Sequence, residues 1–102
     1  MSGVPAAARA PGAPDERAVP AFGVGVKFRF DQVRDRWVVL APERLFIPDA
    51  PAVEILKLVD GQRSLGAIVD DLAGRFTAPR AQIATDVATM LSDLADRGVV
   101  RL

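Results

Sequence analysis

Cysteine, histidine and tyrosine do not occur in this sequence of 102 residues. Without cysteine there is no disulfide framework and no thiolate metal site. Without histidine the chain lacks the commonest general base and the commonest metal ligand, and without tyrosine a common phenolic acid. An excess of one charge is missing too: Lys+Arg and Asp+Glu both count 13, so the net charge is zero. Domains that bind nucleic acid by neutralising phosphates usually carry a basic excess. No apolar run nears the ~20 residues needed to cross a bilayer. No basic stretch followed by an apolar one marks a secretory signal at the N-terminus. These absences leave a cytoplasmic protein, off the membrane, with nothing that calls for a metal or a cofactor. The length suits one small domain.

What is present changes character along the chain. Residues 1–21 are rich in Ala, Pro, Gly and Arg, with Pro5, Pro11, Pro14 and Pro20 and no apolar period. Such a segment buries too little surface to offset its ordering entropy, and it reads as a disordered arm or an extended linker. The folded domain is expected over residues 22–102. Val26, Phe28 and Phe30 alternate with Lys27, Arg29 and Asp31, the period of two of a half-buried strand. Residues 32–36 form a polar turn. Residues 37–41, Trp-Val-Val-Leu-Ala, are more uniformly apolar, as an inner strand is. Pro42, Glu43 and Arg44 make a second turn, and Leu45, Phe46 and Ile47 a third strand that Pro48 ends.

Everything after Pro48 has helical spacing. Asp49 caps a first helix, with Pro51 in its first turn, Val53, Leu56 and Val59 on its apolar face, and Gly61 as the glycine beyond its end. Ser64 caps a second, whose buried stripe is Leu65, Ile68, Val69, Leu72 and Phe76. A third runs from about Pro79 to Arg97 with the stripe Ile83, Val87, Met90, Leu91 and Leu94, and Gly98 stops it. The last four residues form a short apolar, extended end. With no crossover helix between the strands, the order predicts an α+β fold: a three-stranded antiparallel meander followed by three helices, winged-helix-like.

Catalysis finds no support. Ser2 lies in the arm, Ser64 is a cap, and Ser92 sits on an exposed helix face without a histidine to activate it. Asp70 and Asp71 are adjacent on a helix and point in different directions. Asp86, Asp93 and Asp96 read as surface charges, and Gly23 and Gly25 are too sparse for a phosphate loop. DNA binding meets the wrong sign. The third helix, which would enter the groove, sets Arg80 and Arg97 against Asp86, Asp93 and Asp96, a net of −1. The basic side is the sheet: residues 24–48 hold five cations against three carboxylates, and residues 49–102 six against eight.

A binding module remains, and the third strand is its best site. As the last strand of a meander it has one neighbour, which leaves a row of N–H and C=O groups for an incoming extended peptide. Arg44, Leu45, Phe46 and Ile47 contain no internal lysine, bulge or proline to blunt that edge. The alternative is an edge covered by a helix or the arm, with these side chains in the core. On the third helix, Ile83, Val87 and Leu94 fall in the centre of the apolar stripe and Met90 and Leu91 at opposite margins. Met90 suits an adaptable groove wall, and Asp86 stands ready for a basic residue of a ligand.

The run Trp37-Val38-Val39-Leu40-Ala41-Pro42-Glu43-Arg44, then Ala52, Ile55-Leu56, Asp60-Gly61, Ile68, Leu72, Ile83, Asp86-Val87, Leu91, Leu94 and Gly98 resembles the PqqD family of pyrroloquinoline quinone (PQQ) biosynthesis. The likeness covers roughly residues 20–102. It departs at Val59, where many relatives are expected to have cysteine. The resemblance implies a non-catalytic peptide chaperone, the recognition element of a ribosomally made and modified peptide pathway. Its partners would be the precursor peptide PqqA and the radical SAM enzyme PqqE, with a possible fusion to PqqC. It further implies strand addition of the peptide at Arg44, Leu45, Phe46 and Ile47, against a wall drawn from Ile83, Asp86, Val87, Met90 and Leu91. A winged-helix DNA-binding protein and a structural subunit that dimerises through the edge are the rival classes.

Overall fold

A computed structural model describes residues 15–102. In chain order its elements are β1 (Ala21–Phe22), β2 (Lys27–Asp31), β3 (Arg36–Ala41), β4 (Arg44–Phe46), α1 (Ala50–Leu56), α2 (Leu65–Ala73), α3 (Arg80–Asp96) and β5 (Val100–Arg101). Strands β2, β3 and β4 form the expected antiparallel meander in that order, so the fold is α+β. Phe28 lies opposite Val39, and Val39 opposite Phe46. Directly opposed residues share a face, so Phe28, Val39 and Phe46 turn inward together. Val39 joins the main core with Ile55, Leu56, Ile68, Val87 and Leu91 from the helices, and Phe28 and Phe46 pack against it. The β2 ring of Phe28 stacks on Trp37 with centroids 4.7 Å apart.

Three of the helix ends follow the sequence reading: the starts at Asp49 and Ser64 and the stop at Gly98. The Asp49 carboxylate accepts from the amide of Ala52 at 3.0 Å, and the Ser64 hydroxyl from that of Ala67 at 3.1 Å. Gly98 takes φ 78°. Its amide reaches the Ala95 carbonyl at 3.0 Å while the amide of Val99 reaches that of Leu94 at 2.9 Å. This double closure of a helix end needs a left-handed residue, which glycine adopts without strain.

Three local expectations are corrected. Gly61 is not the glycine beyond α1, because α1 stops at Leu56 with Lys57 as its cap. Its amide instead donates to the Pro20 carbonyl at 3.2 Å. Phe76 is not part of the buried stripe of α2. Gly74 caps that helix first, and the Phe76 ring is 48% exposed. Third, the strand expected at Leu45, Phe46 and Ile47 is shifted one residue back, to Arg44–Phe46.

Of the arm expected over residues 1–21, residues 1–14 lie outside the described part. Residues 15–21 run along the helices. The carbonyls of Ala18 and Glu16 accept from the amides of Leu65 and Gly66, at 2.7 and 2.9 Å. These are the amides of the first two residues of α2, and the Ser64 hydroxyl takes that of the third, three of the four donors a helix start leaves open. A Cβ on Gly66 would stand 3.0 Å from a Glu16 carboxylate oxygen and 3.3 Å from its carbonyl. Arg80 then grips both segments, giving two bonds to the Glu16 carboxylate (2.8 and 3.0 Å) and one to Asp70 (2.7 Å). Beyond this strap, β1 pairs with β5 in a two-stranded ribbon, Ala21 opposite Arg101 and Phe22 opposite Val100. The ring of Phe22 lies 6.0 Å from that of Phe28 and ties the ribbon to the sheet.

Candidate functional site

Strand β4 pairs with β3 alone, and among the described residues no strand lies on its other side. The turn fixes which groups are free. Pro42 and Glu43 are the only residues between the paired Ala41 and Arg44. Glu43 takes φ 62°, the left-handed second position of a type II turn that proline introduces. In a hairpin with a two-residue loop, the flanking pair is hydrogen bonded and the next is not. Arg44 therefore bonds back to Ala41, while the N–H and C=O of Leu45, opposite Leu40, point to the open side. Phe46, opposite Val39, points its amide back to β3. The Leu45 side chain is 49% exposed and that of Ile47, just past the strand, 54%. Phe46 is the inward member and packs on the core.

The strand is anchored beside α3. The Arg44 guanidinium donates to the Arg97 carbonyl at the end of α3, at 2.6 Å. Four and five residues on from β4, Ala50 and Pro51 line a hollow of about 390 Å³ with Ile83, Asp86 and Val87 of α3. The segment from Arg44 to Pro51 thus runs beside α3 from its C-terminal end toward its N-terminal one. The hollow is floored by Ile55 and Leu72 and rimmed by Phe76 and Glu54. Arg75 lies over the Phe76 ring at 5.5 Å and also pairs with Glu54 (3.2 Å) and Asp71 (2.9 Å). Asp86 receives a hydrogen bond from Gln82 at 2.9 Å and, among the described residues, faces no cation. The rim therefore offers one carboxylate with nothing to neutralise it.

Of the residues expected at the site, Arg44, Leu45 and Ile47 are on the exposed edge, and Ile83, Asp86 and Val87 wall the hollow near its end. Met90 is partly buried, one turn on from Asp86. Leu91 is fully buried. It belongs to the opposite flank of α3, where a second hollow of about 500 Å³ is lined by Leu65, Ala88, Leu91 and the carboxylates of Asp15, Asp93 and Asp96. That larger hollow is lined by no residue of β2, β3 or β4. Phe76 was missed as a rim residue. The early stop of α2 at Gly74 was the available signal, since a glycine before the last apolar position ends a stripe. Among the described residues no helix is long and apolar enough to cross a membrane, and no cluster of carboxylates could hold a metal.

Comparison with known proteins agrees with this architecture. The chain is 58% identical over 83 residues to a PqqA binding protein of Rhodopseudomonas palustris, covering 81% of each. It is 44% identical over 82 residues to a bifunctional coenzyme PQQ synthesis protein C/D of Methylorubrum extorquens, covering 80% of this chain and 22% of that one. Among solved structures, the PqqD truncation of Methylobacterium extorquens PqqCD, a stand-alone recognition element for ribosomally made and modified peptides, superposes with a TM-score of 0.73. It is 41% identical in sequence, and the match covers 90% of this chain and 98% of that one. The family model for coenzyme PQQ synthesis protein D (PqqD) matches residues 36–100. The chain belongs to the PqqD family.

Proposed function

We propose that this protein is a non-catalytic, cytoplasmic peptide chaperone of PQQ biosynthesis: it binds the precursor peptide PqqA by strand addition to β4 and presents it to the radical SAM enzyme PqqE. The observation that carries this reading is the outward N–H and C=O of Leu45 on an unpaired edge that runs beside α3. An extended peptide laid there gains main-chain hydrogen bonds from the edge and selectivity from side-chain contacts. Arg44, Leu45, Phe46 and Ile47 form the edge. Ile83, Asp86, Val87 and Met90 form the wall, where the hollow takes an apolar side chain and Asp86 a basic one. Leu91 supports that wall from behind. Tethering peptide and enzyme together raises the effective concentration of substrate, a mechanism that needs no catalytic group. The names of the relatives support PqqA as the ligand, and the fused C/D relative supports an association with PqqC. The acidic balance of α3 speaks against reading a DNA groove.

Titrating isotope-labelled protein with PqqA tests the placement. The amides of Leu45 and Ile47 and those along the Asp86–Met90 side of α3 are expected to shift together. Shifts confined to β2, or none, would overturn it.

A further inference from the structure

The meander has a second face, which meets the peptide edge at Leu45. Opposed residues share a face, and Lys27 stands opposite Leu40, Arg29 opposite Val38 and Leu40 opposite Leu45. These residues lie on the outer side, away from the core that receives Phe28, Val39 and Phe46. Val38 is buried outside the main core cluster, Leu40 is partly exposed and Leu45 half-exposed, so the apolar strip opens toward the β4 edge. Arg36, opposite Asp31, adds a third cation, while Asp31 is already occupied by Arg34 at 2.8 Å. Lys27, Arg29 and Arg36 are exposed and in no ion pair with a described residue. The accessible apolar surface is that of Leu40 and Leu45, next to the covered Val38, and three unneutralised cations border it.

We infer that this outer face docks an acidic protein surface, an apolar patch bordered by carboxylates, on the enzyme that receives the peptide. The inference rests on the peptide-presentation reading and adds to it the surface that does the presenting. Charge selects the occupant. A second copy would set three cations against three cations, and like charges across an interface repel. A nucleic-acid duplex would meet an apolar strip where it needs further phosphate contacts. Continuity with the peptide site gives the face its role. A strand added to β4 extends the sheet, and its alternate side chains stand on this same outer face beside Leu45. One partner surface then touches domain and peptide at once, and peptide and enzyme tighten each other's binding.

The test is a full-length triple variant, Lys27→Glu, Arg29→Glu, Arg36→Glu, measured separately against PqqA and against PqqE. Peptide affinity is expected to stay at the unmodified level. Enzyme affinity is expected to fall about tenfold or more, three opposed charge pairs being reversed. A Lys27→Gln, Arg29→Gln, Arg36→Gln variant, which removes charge without reversing it, is expected to lose less in the same direction. Full enzyme affinity in both variants, with peptide binding intact, overturns the inference and leaves the chaperone reading standing. So does a wild-type dimer, or wild-type binding to duplex DNA or anionic vesicles, that the variants abolish. Failure of the unmodified protein to bind PqqA strikes the chaperone reading itself and takes this inference with it.

Discussion

The two flanks of α3 are built to opposite specifications. On one, Leu91 is fully buried, the strap carbonyls of Glu16 and Ala18 fill the open amides of α2, and Arg80 joins Glu16 to Asp70. On the other, Asp86 faces no described cation, Phe76 is half-exposed, and the Leu45 amide has no partner strand. Asp86 and Leu91 are five residues apart, which at ~100° per residue places them about 140° apart around the helix. A single helix can thus close a core with one side and offer a binding wall with the other. The satisfied flank holds the open one in place: an unpaired edge strand of three residues has little stability of its own.

Substitutions on the two flanks should therefore separate stability from binding. Leu91→Ala has the largest expected effect, a loss of about 2–5 kcal/mol of folding stability, because it removes a fully buried side chain and enlarges the space beside it. Chemical denaturation measures it, and PqqA affinity of the folded fraction should be nearly unchanged. Preserved stability with lost affinity would place Leu91 in the peptide site and erase the contrast.

Leu45→Pro should do the reverse. It removes an outward N–H from an edge strand, a position where proline is tolerated. One lost hydrogen bond, at about 0.5–1.5 kcal/mol, plus the steric block predicts roughly a tenfold weaker peptide and little change in melting temperature. Phe46→Pro is the sharpening control, since that amide belongs to the β3–β4 ladder and its loss should unfold the hairpin. Equal behaviour of the two variants would contradict the parity of β4.

The smallest effect is acid sensitivity of the strap. The hydrogen bonds from Arg80 hold the Glu16 carboxyl below its ordinary value of 4.5. A depressed folded value means that the linked stability is present above 4.5 and fades as pH falls through the lowered value. Protection of the Leu65 and Gly66 amides, which donate to the strap, taken relative to their intrinsic exchange rates, should fall below that point while protection in α3 does not. Arg80→Ala should abolish the difference between acid and neutral pH.

Much of this protein was determined by its sequence because the signals are local. Alternation in β2, the inner strand at Trp37, the caps Asp49 and Ser64, the stripe of α3 and the stop at Gly98 each follow from neighbouring residues obeying a period or a capping rule. The edge position of the third strand followed from strand order. The tertiary structure decided the rest. The β1–β5 ribbon joins two strands of two residues each, too short to carry a period. The strap contacts α2 through backbone carbonyls, which every sequence possesses, so composition gave no hint of it. Phe76 left the core because the chain turned at Gly74. Which amide of β4 faces outward depends on turn length and pairing register together, and only the paired strands place that role on Leu45.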